Sequence, residues 1–346
     1  MNKQISTIFF SIFLFIGYLT NITHGSGRLI ITGFKGTSPK DPQVIQLKQA
    51  IDQHQIGGVI LFKRNIINKT QLKALIAYLK KDTPILVAID HEGGVVNRLT
   101  DPSFNLKTPS PDRFCKLNQS NQISIANQVS STLKDIGINL NLGGVVDIEP
   151  LIYTSSICRY KRCYGQSQND ITHCAKILLN SHQKENILFA LKHFPGHGST
   201  PIDSHYRLPN ISKNHTPYDF MPYRNLIDAN SSQNIMVMVG HLMIRDIDPK
   251  YPASLSKNHI DLLKNELHFN GLIITDDLNM GALHEISKNK VTIAKKALTA
   301  GNHLLLFEYL TFSEIEKINA FFNQNNHSEE LNQLLKASLH KLNQYL

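Results

Sequence analysis

Between residues 192 and 205 the chain reads Lys192-His193-Phe194-Pro195-Gly196-His197-Gly198-Ser199-Thr200-Pro201-Ile202-Asp203-Ser204-His205. A lysine, three histidines and an aspartate are gathered there, directly after the apolar run 187–191. Pro195, Gly196 and Gly198 forbid a continuing strand or helix, so the polar groups belong on a loop launched from a buried strand. Within it, Asp203-x-His205 places a carboxylate two residues from an imidazole. A carboxylate so placed fixes the tautomer and favours the protonated ring, as a general acid/base requires. Alone, His205 would pass for an exposed loop histidine; the residues around it argue for chemistry.

Two other segments end apolar runs in carboxylates. One is Ile85-Leu86-Val87-Ala88-Ile89-Asp90-His91-Glu92-Gly93-Gly94, the other Gly271-Leu272-Ile273-Ile274-Thr275-Asp276-Asp277-Leu278-Asn279-Met280. Either Asp276 or Asp277 fits a nucleophile opposite a proton carrier. Asp147, Glu149 and His241 also follow apolar runs. Any one acidic residue at a strand end serves equally well as a cap for the next helix; the whole set, with Lys192 and His193, is more simply read as converging on one face.

Such convergence needs a scaffold of strand ends. Short apolar runs rich in β-branched residues occur at 29–33, 58–62, 85–89, 138–141 extending to 146, 188–192, 235–239, 272–275 and 303–307. Helical periodicity lies between them, at 44–54, 70–80, 121–134, 169–183, 220–229, 257–267 and 291–300. Strands apolar without alternation are buried on both faces, as in a parallel sheet. The alternation predicts an α/β fold, a single (β/α)8 TIM-type barrel, with polar groups at its carboxyl-terminal mouth. Extra C-terminal helices at 313–322 and 328–345 would pack outside the ring. An open doubly wound sheet is the rival, disfavoured because no glycine-rich phosphate loop follows the first strand.

The 346 residues are 41% hydrophobic and 18% charged, which suits a globular fold with a substantial core. No repeat, low-complexity tract or linker divides them, so residues 26–346 are expected to form one domain. Residues 1–25 read as a signal peptide: Lys3 precedes an uncharged apolar run, 5–19, and small residues follow near Gly25. That run is shorter than the roughly 20 residues of a spanning helix, which favours cleavage over anchoring. No cysteine lies nearby to carry a lipid, and no other segment is long and apolar enough to cross a bilayer. Export permits disulfides. Of Cys115, Cys158, Cys163 and Cys174, the second and third bracket a short basic stretch and can close a loop; the other two have no evident partner, and the spacing fits no zinc pattern. The net charge of +9 is dispersed. It suits anionic partners such as cell-wall polymers; nucleic acid is the weaker reading, since the sequence has no basic helix or stacking motif and export argues against it.

Together the three motifs resemble glycoside hydrolase family 3, in its bacterial β-N-acetylglucosaminidase branch, from about residue 29 to about residue 307. The Lys-His-Phe-Pro-Gly-His-Gly…Asp-Ser-His loop is specific to that branch. The resemblance implies the same barrel and a retaining exo-glycosidase. Asp276 would be its nucleophile, His205 its acid/base with Asp203 as partner, and Asp277 a cap or support. It implies sugar contacts from Asp90, Arg98, Arg162, Lys192 and His193, with His197 fixing the loop. No metal or organic cofactor is implied. The substrates would be N-acetylglucosamine-containing oligosaccharides, derived from muropeptides or chitin. Members of this branch often work in cytoplasmic wall recycling, while the leader here points to periplasmic or extracellular action. The rivals are a β-glucosidase or phosphorylase of the same family, and a barrel that binds wall sugars without turnover. Val95, Ser199, Gly143-Gly144 and His303 depart from the family pattern, and are expected to alter pocket shape rather than remove a catalytic group.

Overall fold

A computed structural model describes residues 25–151, 154–227, 234–324 and 326–346. Nearly all of the expected leader therefore lies outside the described residues, as do positions 228–229 of the expected helix at 220–229. Eight parallel strands appear in the expected places: β1 Ile30–Gly33, β2 Gly58–Leu61, β3 Leu86–Ile89, β4 Leu140–Val145, β5 Leu188–Phe194, β6 Ile235–Val239, β7 Leu272–Thr275 and β8 Leu305–Phe307. Every strand residue is buried, which is why the runs are apolar without alternation. The spatial order is β7-β6-β5-β4-β3-β2-β1-β8, the arrangement of a TIM-type (β/α)8 barrel.

The ring closes unevenly. β8 pairs with β1 over three residue pairs. Between β7 and β8 the pairing is one isolated bridge, Ile274 to Leu304, with backbone bonds from His303 and Leu304 to the Ile273 carbonyl, from Thr275 to that of Leu304 and from Leu278 to that of Leu306. Side chains supply further bonds along this seam. His303 Nδ1 accepts the N–H of Ile273 at 3.0 Å, Thr275 Oγ1 accepts the N–H of Leu306 at 3.1 Å, and Asp277 Oδ1 accepts the N–H of Glu308 at 2.7 Å.

The outer helices are α1 Pro42–Asp52, α2 Lys69–Lys80, α3 Gln119–Ile136, α4 Gln168–Lys184, α5 Met221–Leu226, α6 Lys257–Asp261, α7 Lys290–Ala300, α8 Phe312–Phe322 and α9 Glu329–Asn343. Local sequence starts and stops them. Asn68, Asn118, Ser167, Asn289, Thr311 and Ser328 each accept an N–H from the first turn, a device worth about 1 kcal/mol per helix. Gly137 and Gly301 end α3 and α7 in the left-handed region, with φ of 93° and 106°. The expected helix 257–267 is α6 followed by a wider π turn, Leu262–Glu266.

The core falls into two large apolar clusters. One contains residues of β1–β3, β7 and β8 and of the helices beside them; the other lies among α4–α6, β5 and β6. Two disulfides brace the structure. Cys158–Cys163 closes the expected short loop, and Cys115 pairs with Cys174 on α4, a partnership the sequence reading left unassigned. Gly143 and Gly144 sit where β4 is approached closely, since a Cβ would lie 2.4 Å from the His91 carbonyl oxygen and 2.5 Å from that of Ala190. Their departure from the family pattern therefore concerns strand packing. His303 corrects an expectation: it precedes β8 and bonds the start of β7, at the end of the barrel opposite the mouth, so it does not shape the pocket.

Candidate active site

The polar residues do converge. A cavity of about 390 Å³ opens at the carboxyl ends of the strands, and Asp90, Arg98, Arg162, Lys192, His193, His205 and Asp276 all line it. Asp203 stands behind His205 rather than on the wall.

The floor is a line of alternating charges. Arg98 lies 3.8 Å from Asp90, and Asp90 is 3.0 Å from the Lys192 ammonium. Lys192 also donates to Glu92 at 2.7 Å. Arg162 grips Glu92 with two nitrogens, Nε at 2.7 Å and Nη2 at 2.8 Å. Burial alone would push the Glu92 carboxyl up; the adjacent Arg162 and Lys192 outweigh it and hold the group at about 2. Burial likewise opposes the charge on Lys192, yet Asp90 and Glu92 raise its value. Glu92 and Lys192 thus both remain ionised. Glu92 was absent from the expected sugar contacts. Its place after β3 was the signal, and its pairing with two cations became visible only once β3, β5 and the Arg162 turn met.

His193 is oriented by Asp147, which follows β4. Asp147 Oδ2 lies 2.7 Å from His193 Nδ1, and Oδ1 accepts the N–H of His197 at 2.7 Å. A carboxylate at Nδ1 assigns the proton there and leaves Nε2 for a hydroxyl in the pocket. His197 is buried and lowered to about 4 by that burial. Its Nε2 meets Ser204 Oγ at 2.8 Å and its Nδ1 meets Ser156 Oγ at 3.3 Å. It fixes the loop, as the resemblance implied. Ser199, at a departing position, donates to Asp219 at 3.0 Å.

Asp276 extends β7. Its N–H donates to the Val239 carbonyl, and its Oδ1 accepts the N–H of Asp277 at 2.8 Å. Burial pushes its carboxyl up, but the imidazoles of His193 and His241, with that N–H, hold it at about 2. The group is therefore an ionised carboxylate in a partly dry site. Asp277 goes the other way: burial raises it to about 6, and the charges of Asp276 and Glu308 add to this against the N–H groups of Asn279 and Glu308. His241, fully buried, places Nε2 2.8 Å from the Asp277 carbonyl oxygen and Nδ1 2.7 Å from Ser254 Oγ. Only an Nε2–H can bond a carbonyl, so the ring steadies the backbone just after Asp276. Sequence reading placed His241 among the strand-end polar residues without this role.

His205 Nδ1 and its backbone N–H both meet Asp203 Oδ1, at 2.7 and 2.9 Å. Burial raises the Asp203 carboxyl, and the two His205 bonds more than reverse that, so Asp203 stays ionised. The His205 side chain is 64% exposed, open to solvent and to the same pocket as Asp276. Its loop is docked by backbone bonds onto the segment beyond β7: Gly281 donates to the His205 carbonyl at 2.9 Å and Ala282 to that of Ser204 at 3.1 Å. A fixed carboxylate thus faces a cavity that also receives a carboxylate-paired imidazole, an arrangement able to attack an acetal carbon and to move a proton at its oxygen.

Known proteins share this architecture. The chain matches the Glycosyl hydrolase family 3 N terminal domain over residues 35–341. It is 32% identical over 285 residues to a beta-hexosaminidase of Nitrosomonas eutropha, covering 78% of each chain. It is 29% identical over 316 residues to a beta-hexosaminidase of Haemophilus ducreyi, covering 87% of each. A glycoside hydrolase family 3 beta-N-acetylglucosaminidase from Paenibacillus sp. str. FPU-7 superposes with a TM-score of 0.78 at 27% identity; the alignment covers 93% of this chain and 62% of that longer one. The fold is also that of a Beta-N-acetylhexosaminidase from Beutenbergia cavernae, with a TM-score of 0.81 at 22% identity, covering 94% of this chain and 98% of the other. Strand-end carboxylates, the docked His205 loop and these likenesses agree: the chain is a glycoside hydrolase and belongs to glycosyl hydrolase family 3.

Proposed function

We propose that this chain is an exported, retaining exo-β-N-acetylglucosaminidase that removes terminal N-acetylglucosamine from oligosaccharides derived from muropeptides or chitin. The observation that carries the reading is one pocket lined by both the ionised Asp276 and the Asp203-paired His205. Asp276 attacks the anomeric carbon while His205 gives its proton to the departing oxygen. His205 then takes a proton from water as that water cleaves the glycosyl ester. Asp90, Arg98, Arg162, Lys192 and His193 hold the sugar hydroxyls and acetamido group. The relatives' beta-hexosaminidase names support the N-acetylglucosamine substrate. The apolar leader and the two disulfides support an oxidising compartment, periplasmic or extracellular.

The test is the purified protein on aryl β-N-acetylglucosaminide and aryl β-glucoside, with and without phosphate. Hydrolysis of the first, independent of phosphate, is expected. Preference for the glucoside would sink the substrate assignment, and strict phosphate dependence would make the protein a phosphorylase. A slow substrate with a good leaving group should leave a sugar on the peptide containing Asp276, read by mass spectrometry. An adduct on Asp277, or an inverted product by NMR, would overturn the mechanism.

A further inference from the structure

Arg162 reaches the floor from a turn that is closed mainly by its own local bonds. Cys158–Tyr160 form one 3-10 turn, Lys161 takes a left-handed φ of 62°, and Arg162 and Cys163 follow. Arg159, Tyr160 and Lys161 are exposed. On the inner side the turn contributes Cys158 and Cys163 to a small apolar cluster with Val145 and Ile157, separate from both large clusters of the core. Its backbone bonds are mostly local, Arg159 to Ser155 at 3.2 Å, Tyr160 to Ile157 at 3.2 Å and Lys161 to Cys158 at 2.8 Å, while Ser156 to Thr200 at 2.9 Å ties its start to the His197 loop. A small apolar cluster and local bonds fix the shape of a turn better than they fix its placement on the rest of the barrel. Yet the two-nitrogen grip of Arg162 on the buried Glu92 demands one orientation of the guanidinium plane. The Cys158–Cys163 disulfide joins the residues on either side of this turn, and Cys163 is the immediate neighbour of Arg162.

We propose that the Cys158–Cys163 disulfide is a positioning device for substrate binding: by closing the turn it holds Arg162 in the orientation that Glu92 and an incoming sugar both require. Opening it weakens substrate binding and leaves bond cleavage at Asp276 and His205 intact. The device exists only in a chain that carries both cysteines. The proposal rests on the reading of the pocket as a sugar site. The Cys115–Cys174 bridge joins the Pro111–Phe114 turn to α4 and carries none of the sugar-binding residues, so it serves as the comparison.

The experiment measures kcat and KM on aryl β-N-acetylglucosaminide for the full chain made oxidised, and for three variants: Cys158→Ser/Cys163→Ser, Cys115→Ser/Cys174→Ser and Arg162→Met. The first is expected to raise KM about tenfold or more, the size of one misplaced charge-assisted hydrogen bond, with kcat nearly unchanged. The second should leave KM unchanged. Dithiothreitol should raise KM of the oxidised parent in the same way, its two electrons and two protons passing to the paired sulfurs as it closes to a cyclic disulfide. It should leave KM of the Cys158→Ser/Cys163→Ser variant unmoved. An unchanged KM in that variant, an equal rise for both cysteine pairs, or a loss confined to kcat would overturn the proposal. Arg162→Met separates the two levels. If it raises KM while the Cys158→Ser/Cys163→Ser variant does not, only the disulfide's role falls; if it leaves KM unchanged, the sugar-site reading falls as well.

Discussion

Replacing Asp277 separates holding the proposed nucleophile from being it. Its Oδ1 accepts the N–H of Asn279 at 3.0 Å and that of Glu308 at 2.7 Å, the second bond crossing the seam from β7 to β8. In Asp277→Ala both donors lose their acceptor, at about 1–3 kcal/mol for each that stays dry. Glu308 is exposed enough for water to replace one, so the expected loss is about 2 kcal/mol. The Asp277 N–H also holds the Asp276 carboxylate at 2.8 Å, so a shift of this peptide carries Asp276 with it. A misplacement near ~1 Å lowers the rate by about 10²-fold. Asp277→Asn keeps an acceptor oxygen in place and should restore most of kcat. The pH response has a defined sign. The folded value of about 6 lies above the 3.8 of a free aspartate, so the ionised form costs stability, and that cost develops as pH rises between those values. The asparagine variant, which does not ionise, should therefore gain in thermal midpoint relative to the parent from pH 4 to 6 and hold the gain above. Steady-state kinetics and melts from pH 4 to 8 provide the assay. An alanine variant with normal kcat, or an asparagine variant as damaged as the alanine one, would refute the reasoning.

Two further outcomes are expected. Gly281→Ala would put a Cβ 2.6 Å from the His205 carbonyl oxygen and 2.8 Å from that of Tyr206. The acid/base loop must yield, so kcat on substrates with poor leaving groups should fall at least about tenfold while the thermal midpoint barely moves; full activity would show that the docking is unimportant. Burial lowers His91, His182, His197 and His259 to about 4 and His303 to about 3, against 6.5 for the free side chain. The unfolded chain then takes up protons first, so their contribution is complete above pH 6.5 and is lost progressively toward pH 4. Calorimetry should show the midpoint falling across that window, and a flat profile would contradict the burial of these rings.

The strands were legible because burial on both faces leaves runs that are mostly apolar and do not alternate, and β7 falls at the expected 272–275. Helix starts were nearly as plain. The π turn at Leu262–Glu266 was not, since apolar spacing over eleven residues does not distinguish an α turn from one residue wider. Cys115 and Cys174 are 59 positions apart, and only the packing of the barrel's outer layer brings them together. The expected site residues all arrive at one mouth because strand ends are where a barrel must expose them. What the sequence could not assign was which polar group answers which. Glu92, Asp147 and His241 each stood after an apolar run, but their partners lie on neighbouring strands or turns whose register is a property of the closed ring. His303 shows the same ambiguity in reverse: a polar residue beside a strand belongs to the mouth only if it stands at the carboxyl end.

The alternating floor of the pocket also constrains how this sequence can change. Arg98, Asp90, Lys192, Glu92 and Arg162 each neutralise a neighbour. Removing one inner member strands a charge where water is scarce, at about 3–5 kcal/mol. Against a total stability of about 5–15 kcal/mol, a lineage has little room for that as a single step. Replacement here must proceed by compensated exchanges, two positions drifting together. Descendants of this fold therefore either inherit the floor whole or cross to another solution through a rare pairwise jump, while the exposed rim around it is free to wander one residue at a time.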